Sequence, residues 1–145
     1  MIDRYASKDM TRIWSDENRF RLWQEVETVV CEVRADRGEI PADAAREIRA
    51  RGAFETERVL EIEKTVQHDV IAFLTNLAEH VGPSSRFVHQ GMTSSDLLDT
   101  SFALQVREAG AVLRAALIEL LDTTERKAVE HRDTVMIGRS HGIHA

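Results

Sequence analysis

From Thr93 to about His131 the chain carries no proline and no turn cluster, so a single helix is the element expected there. About 35 residues at a rise of ~1.5 Å each make a rod of ~50 Å. Within it, Ala109 to Leu121 reads AGAVLRAALIELL and is apolar on most of its circumference rather than along one stripe. A helix apolar all round has to be enclosed by several neighbours. The other helical segments are shorter and cannot sheath such a rod. The chain is therefore expected to self-associate through this helix, and further partner helices are expected in sequence beyond it.

The remaining elements are also helical. Ser15 before Asp16 and Glu17 reads as a helix start, followed by Phe20, Trp23, Val26, Val30 and Val33 at spacings of three and four until Gly38. Pro41 opens a short helix around Ile48 that stops at Gly52. From Thr56 to Val81 the positions Val59, Ile62, Val66, Val70, Phe73, Leu77 and Val81 keep a clean helical period, predicting one long helix closed by Gly82 and Pro83. Thr93, three residues before Asp96, marks the start of the long rod. Only two prolines and seven glycines interrupt the chain. The expected fold is all-α: an N-terminal helical domain over residues 1–93, then residues 94–145 as the first long helix of an oligomeric helical-bundle core.

Charge and cysteine content narrow the function classes. A formal net charge of −6 opposes non-specific nucleic-acid binding, which needs a basic face to replace condensed counterions. No stretch approaches the ~18 apolar residues of a membrane span, and the N-terminus lacks a signal-peptide core. Cys31 is the sole cysteine and lies among Val29, Val30 and Val33, as a small buried hydrophobe would. A reduced, cytoplasmic setting is expected.

Three patches carry chemical potential. The stretch HQGMTSSD combines His89, a glycine and three consecutive hydroxyls, Thr93, Ser94 and Ser95, at a helix start. Backbone N–H groups and hydroxyls there could cradle an anion, although plain capping needs only one of those hydroxyls. His68 with Asp69 lies roughly opposite the apolar stripe; it is either a solvated surface pair or an imidazole able to exchange a proton with an anionic ligand. The closing GRSHGIHA places Arg139, Ser140 and His141 between glycines. His141 and His144 at a three-residue spacing lack the further ligands that zinc requires, and no metal site is expected.

Taken in order, MIDRYASKDM, IWSDENRF, HDVIAFL, HQGMTSSDLLDT and GRSHGIHA resemble the opening third of the adenylosuccinate lyase family, within the fumarase/aspartase superfamily. The resemblance implies β-elimination of fumarate from adenylosuccinate and from the succinylated carboxamide ribotide of purine synthesis, leaving AMP from the former. It implies no cofactor. On matching positions, His141 falls on the family's general acid and His68, with Asp69, on the histidine block that contacts substrate and supports that acid. Arg4 and Tyr5 fall on residues that hold the nucleotide, Thr93 and Ser94 on hydroxyls that bind the succinyl end, and His89 on a further ligand contact. Gln67 joins the substrate-binding set, where a basic residue is the expectation. His144 takes no role.

The family's base, a serine in an S-S-x-M-P-x-K-x-N-P loop, has no counterpart in these residues, so the chain by itself is expected to be inactive and GRSHGIHA to be the cut edge of a longer protein. The resemblance further implies a homotetramer whose active sites draw on three subunits. Two other readings stay open: a non-enzymatic helical module that self-associates, and a sibling lyase of the argininosuccinate or fumarase type.

Overall fold

The computed structural model describes residues 3–144; Met1 and Ile2 of the opening block and Ala145 of the closing one lie outside them. After a 3-10 turn at Asp3–Tyr5 come helices α1 (Lys8–Ile13), α2 (Asp16–Asp36), α3 (Ala42–Arg51), α4 (Thr56–Val66), α5 (Asp69–Val81) and α6 (Ser94–Glu130). A second 3-10 segment, Gly82–Phe87, precedes α6, and a two-stranded ribbon, β1 (Arg139–Ser140) with β2 (Ile143–His144), follows it. The expected all-α class holds.

Local signals place most boundaries. Ser15 caps α2 by accepting the Asn18 N–H at 3.2 Å, and Pro41 stands just before α3. The start of α6 is a reciprocal cap: Asp96 Oδ2 accepts the Thr93 N–H at 2.8 Å, while the Asp96 N–H donates to Thr93 Oγ1 at 3.4 Å.

The expectation of one helix from Thr56 to Val81 fails, because Gln67 takes a left-handed conformation, φ 53°, and ends α4. The chain then doubles back. Glu55 N–H donates to Asn76 Oδ1 at 2.8 Å, and Arg58 at the head of α4 pairs with Glu79 near the end of α5 at 2.8 Å. Unbroken, those residues would stand more than ~30 Å apart along the axis. The apolar period survives because both halves of the stripe face one core: Val59 and Ile62 from α4, Val70, Phe73, Leu77 and Val81 from α5 are buried. Val66, beside the break, is 39% exposed.

The packing divides the chain into a unit ending at Ala109 and a second beginning at Gly110, within α6. The first unit is built round an aromatic cluster. Phe73 stacks on Phe20 at 5.8 Å between ring centroids and meets Trp23 edge-on at 5.5 Å, with Phe54 at 6.2 Å. The early turns of α6 bury Leu97, Ser101, Gln105 and Ala109, a four-residue repeat, and Gln105 donates to the Ile13 carbonyl at 2.9 Å. In the second unit Leu113, Leu117, Leu120 and Leu121 are all more than half exposed. No helix among the described residues is long and apolar enough to cross a membrane.

Helix α2 does not bury the stripe that its valines suggest. Phe20 and Trp23 are buried and Val26 packs partly against the core, but Val33 at the end of the expected stripe is 43% exposed and the fully buried line runs instead through Glu27 and Cys31. A carboxylate in the apolar register hides the true face from a hydrophobicity reading. Cys31 is buried as expected, and burial, with Glu27 nearby, pushes its thiol up to about 11.

Candidate active site

The break between α4 and α5 sets the first patch. Gln67 and His68 sit at the turn of this helical hairpin, with Asp69 opening α5. His68 is the N-cap: its Nδ1 accepts the Ile71 N–H at 3.4 Å. A nitrogen that accepts carries no proton, so the neutral ring has its N–H at Nε2. Asp69 Oδ1 accepts the Val70 N–H at 2.7 Å and lies 3.6 Å from the same Nδ1. In that tautomer both atoms are acceptors and share no proton. His68 is thus surface-facing, as its position opposite the stripe suggested, but it stands outside the helix. Gln67 closes its own turn on the Lys64 carbonyl at 2.8 Å and, with Leu60, Glu63 and Lys64, lines a hollow of about 500 Å³.

The second patch is the loop before α6. It is held from one face of α2 by residues at heptad-like spacing. The Glu27 carboxylate takes the His89 backbone N–H at 2.9 Å and meets its Nδ1 at 2.5 Å. Cys31 Sγ approaches the Phe87 carbonyl at 3.6 Å, and Arg34 donates to the Gln90 carbonyl at 2.9 Å. His89 is left-handed, φ 61°, and its side chain is 18% exposed. Thr93 is engaged with Asp96. Ser94 and Ser95 make no side-chain hydrogen bond among the described residues, so two of the three hydroxyls are uncommitted at the head of α6. Glu27 is the residue a sequence reading misses; its signal is its position four residues from both Trp23 and Cys31, in the buried register.

The third patch is the opening turn, where the Arg4 guanidinium lies 4.7 Å from the Tyr5 ring centroid and Tyr5 is 75% exposed. Among the described residues of the first unit no hydrogen bond or ion pair joins any of these three patches to another. His141 belongs to the second unit. It occupies the corner between β1 and β2, paired Arg139 to His144 and Ser140 to Ile143. His141 and Gly142 take φ 51° and 79°, the two positive values of a tight hairpin turn. The loop foreseen there is a hairpin with an exposed histidine at its turn. Among the described residues no group of three or more His, Cys, Asp and Glu side chains is placed to hold a metal ion.

These patches can be set beside known proteins. A family described as Lyase matches residues 4–145. Adenylosuccinate lyase of Synechocystis sp. is 49% identical over all 145 residues, and that of Bacillus subtilis 43%; the chain covers 34% of each. The chain therefore spans about a third of the length of the curated relatives it matches. Among solved structures, a fumarate lyase from Mesorhizobium sp. superposes with a TM-score of 0.87 at 30% identity, over 97% of this chain and 34% of that one. The 3-carboxy-cis,cis-muconate lactonizing enzyme of Pseudomonas putida gives 0.89 at 30%, over 100% and 35%.

Proposed function

The chain belongs to the lyase family that its residues 4–145 match, and on that premise we propose that it is the N-terminal third of a cytoplasmic, homotetrameric adenylosuccinate lyase. The observation that carries this reading is identity of 49% and 43% to adenylosuccinate lyases along the whole chain. The solved fumarate lyase and lactonizing enzyme share the fold at 30%, which favours the adenylosuccinate substrate over a sibling's. In this reading residues 1–93 are the N-terminal helical domain and 94–145 the start of the central bundle.

The reaction splits a C–N bond, releasing fumarate and leaving AMP. A base takes the proton from the carbon next to a carboxylate, the electron pair forms the C=C bond, and the departing nitrogen must be protonated as it leaves. His141, carried on the hairpin tip, is assigned the second task. His68 offers Nε2–H as a donor to substrate and, with Asp69 and Gln67, forms the contact surface at the α4–α5 turn. Thr93 and Ser94 at the head of α6 suit the succinyl carboxylates, because a helix N-terminus favours anions. Arg4 and Tyr5 are assigned the nucleotide, with the guanidinium matched to its phosphate, and His89 is a further contact. The base lies outside these residues. The exposed leucines of the second unit support association through α6, and that association is what brings patches from different copies together. No cofactor is needed for this elimination.

Fumarate release from adenylosuccinate, followed by ultraviolet absorbance, tests the assignment. The longest reading frame that contains this chain should release fumarate, and the 145 residues alone should not. A folded long form that leaves adenylosuccinate untouched would remove the substrate assignment. Association has its own test. In sedimentation the chain is expected as an oligomer, and Leu117→Glu with Leu121→Glu should shift it to smaller species, since both positions are more than 60% exposed and charge there opposes burial. A monodisperse wild-type monomer would sink this.

A further inference from the structure

Glu27 is the one acidic or basic residue that is buried among the described residues, at 0% exposure. A carboxylate in that position requires partners for its oxygens. Both come from a single residue. Oε2 accepts the His89 backbone N–H at 2.9 Å and Oε1 meets His89 Nδ1 at 2.5 Å. A carboxylate only accepts, so the Nδ1 facing it carries the proton. His89 Nε2 has no hydrogen-bond partner among the described residues and is not one of the buried unpartnered atoms. The ring is therefore gripped by one nitrogen and open at the other. The same grip holds the residue in its left-handed conformation, φ 61°, which residues other than glycine adopt uncommonly.

We propose that Glu27 is the positioning residue for His89: it takes the Nδ1 proton and turns Nε2 outward as the nitrogen a substrate meets, at the loop that leads into α6. This rests on the reading of His89 as a ligand contact. It also gives the two surface histidines opposite chemistry. His68 accepts a backbone N–H at Nδ1 and so presents a donor, whereas the Nδ1–H tautomer of His89 presents an acceptor at Nε2. The substrate group that meets Nε2 of this tautomer is an O–H or N–H, such as a sugar hydroxyl or an amine.

Replacement of Glu27 by glutamine makes this testable at the level of one proton. The amide oxygen can still accept the His89 N–H, but the amide NH2 then faces Nδ1 and can only donate. Nδ1 has to give up its proton, which moves to Nε2. The chain is labelled with [15N]histidine and its ring nitrogens are read by long-range 15N–1H correlation at pH about 8, above the ordinary imidazole range, with His89 assigned by its loss in His89→Asn. The expected result is a protonated Nδ1 in the wild type and a bare Nδ1 in Glu27→Gln. A bare Nδ1 in the wild type overturns the proposal, and that reading stands even if Glu27→Gln fails to fold. So does an unchanged ring in a folded Glu27→Gln.

In the long form active on adenylosuccinate, Glu27→Gln should raise KM by about tenfold and leave kcat within about twofold, the scale of a lost orienting partner of a histidine. An unchanged KM overturns the role in binding. Failure of the wild-type long form to release fumarate would instead strike the lyase reading and leave the nitrogen measurement untouched.

Discussion

Replacing His141 by alanine should slow fumarate release by more than ~100-fold in the active long form, the scale on which a lost general acid is felt. That is about 2.7 kcal/mol of barrier. The departing nitrogen leaves poorly as an anion, and an imidazole supplies its proton near neutral pH because both of its forms are accessible there. His141 stands at the corner of the β1–β2 hairpin with φ 51°, so alanine also strains the turn. Asparagine, which tolerates that conformation, separates the two effects. His141→Asn should preserve the hairpin and be as slow as His141→Ala. Wild-type turnover in His141→Asn would take His141 out of the mechanism and leave the turn as its only task.

The second large effect is on stability. Phe73→Ala should cost about 3–5 kcal/mol, measured by urea unfolding of the chain, the range for deleting a buried phenylalanine. Phe73 is fully buried and touches the rings of Phe20, Trp23 and Phe54 at once, so truncation opens a cavity that three rigid rings cannot collapse into. Domains are commonly stable by only ~5–15 kcal/mol, and the loss would consume much of that. Phe73→Leu should cost clearly less. A cost under ~1 kcal/mol for Phe73→Ala would mean that the core is not organised round this ring. Phe73 also lies on α5, whose first turn is capped by His68, so a loosened core would disturb that patch as well.

Much of the helical inventory is readable without coordinates, because caps and apolar periods act within a turn or two of chain. Ser15 opening α2, Pro41 before α3, and Thr93 with Asp96 at the head of α6 are of this kind. So is the excess of apolar surface on Ala109–Leu121, whose later leucines the structure leaves exposed. The end of α4 is not. A helical period looks the same whether the helix continues or folds back on itself, and Gln67 carries no glycine or proline to announce the turn. Burial decides it: doubling α5 against α4 lets both halves of one stripe share the core that Phe20 and Trp23 complete.

The loop before α6 shows the same division. Its hydroxyls and His89 attract attention as a local cluster, yet Glu27, which grips His89, lies 62 residues earlier and reads as one more charge on a helix. Short-range hydrogen bonding and side-chain period were enough to specify most of the helices and to mark the candidate histidines. Where the chain turns back, which face of α2 is buried and which nitrogen of His89 is left free depend on contacts between residues far apart in sequence. Such contacts are chosen by the free energy of the whole packed unit, in which burying Phe73 and satisfying Glu27 outweigh any local preference.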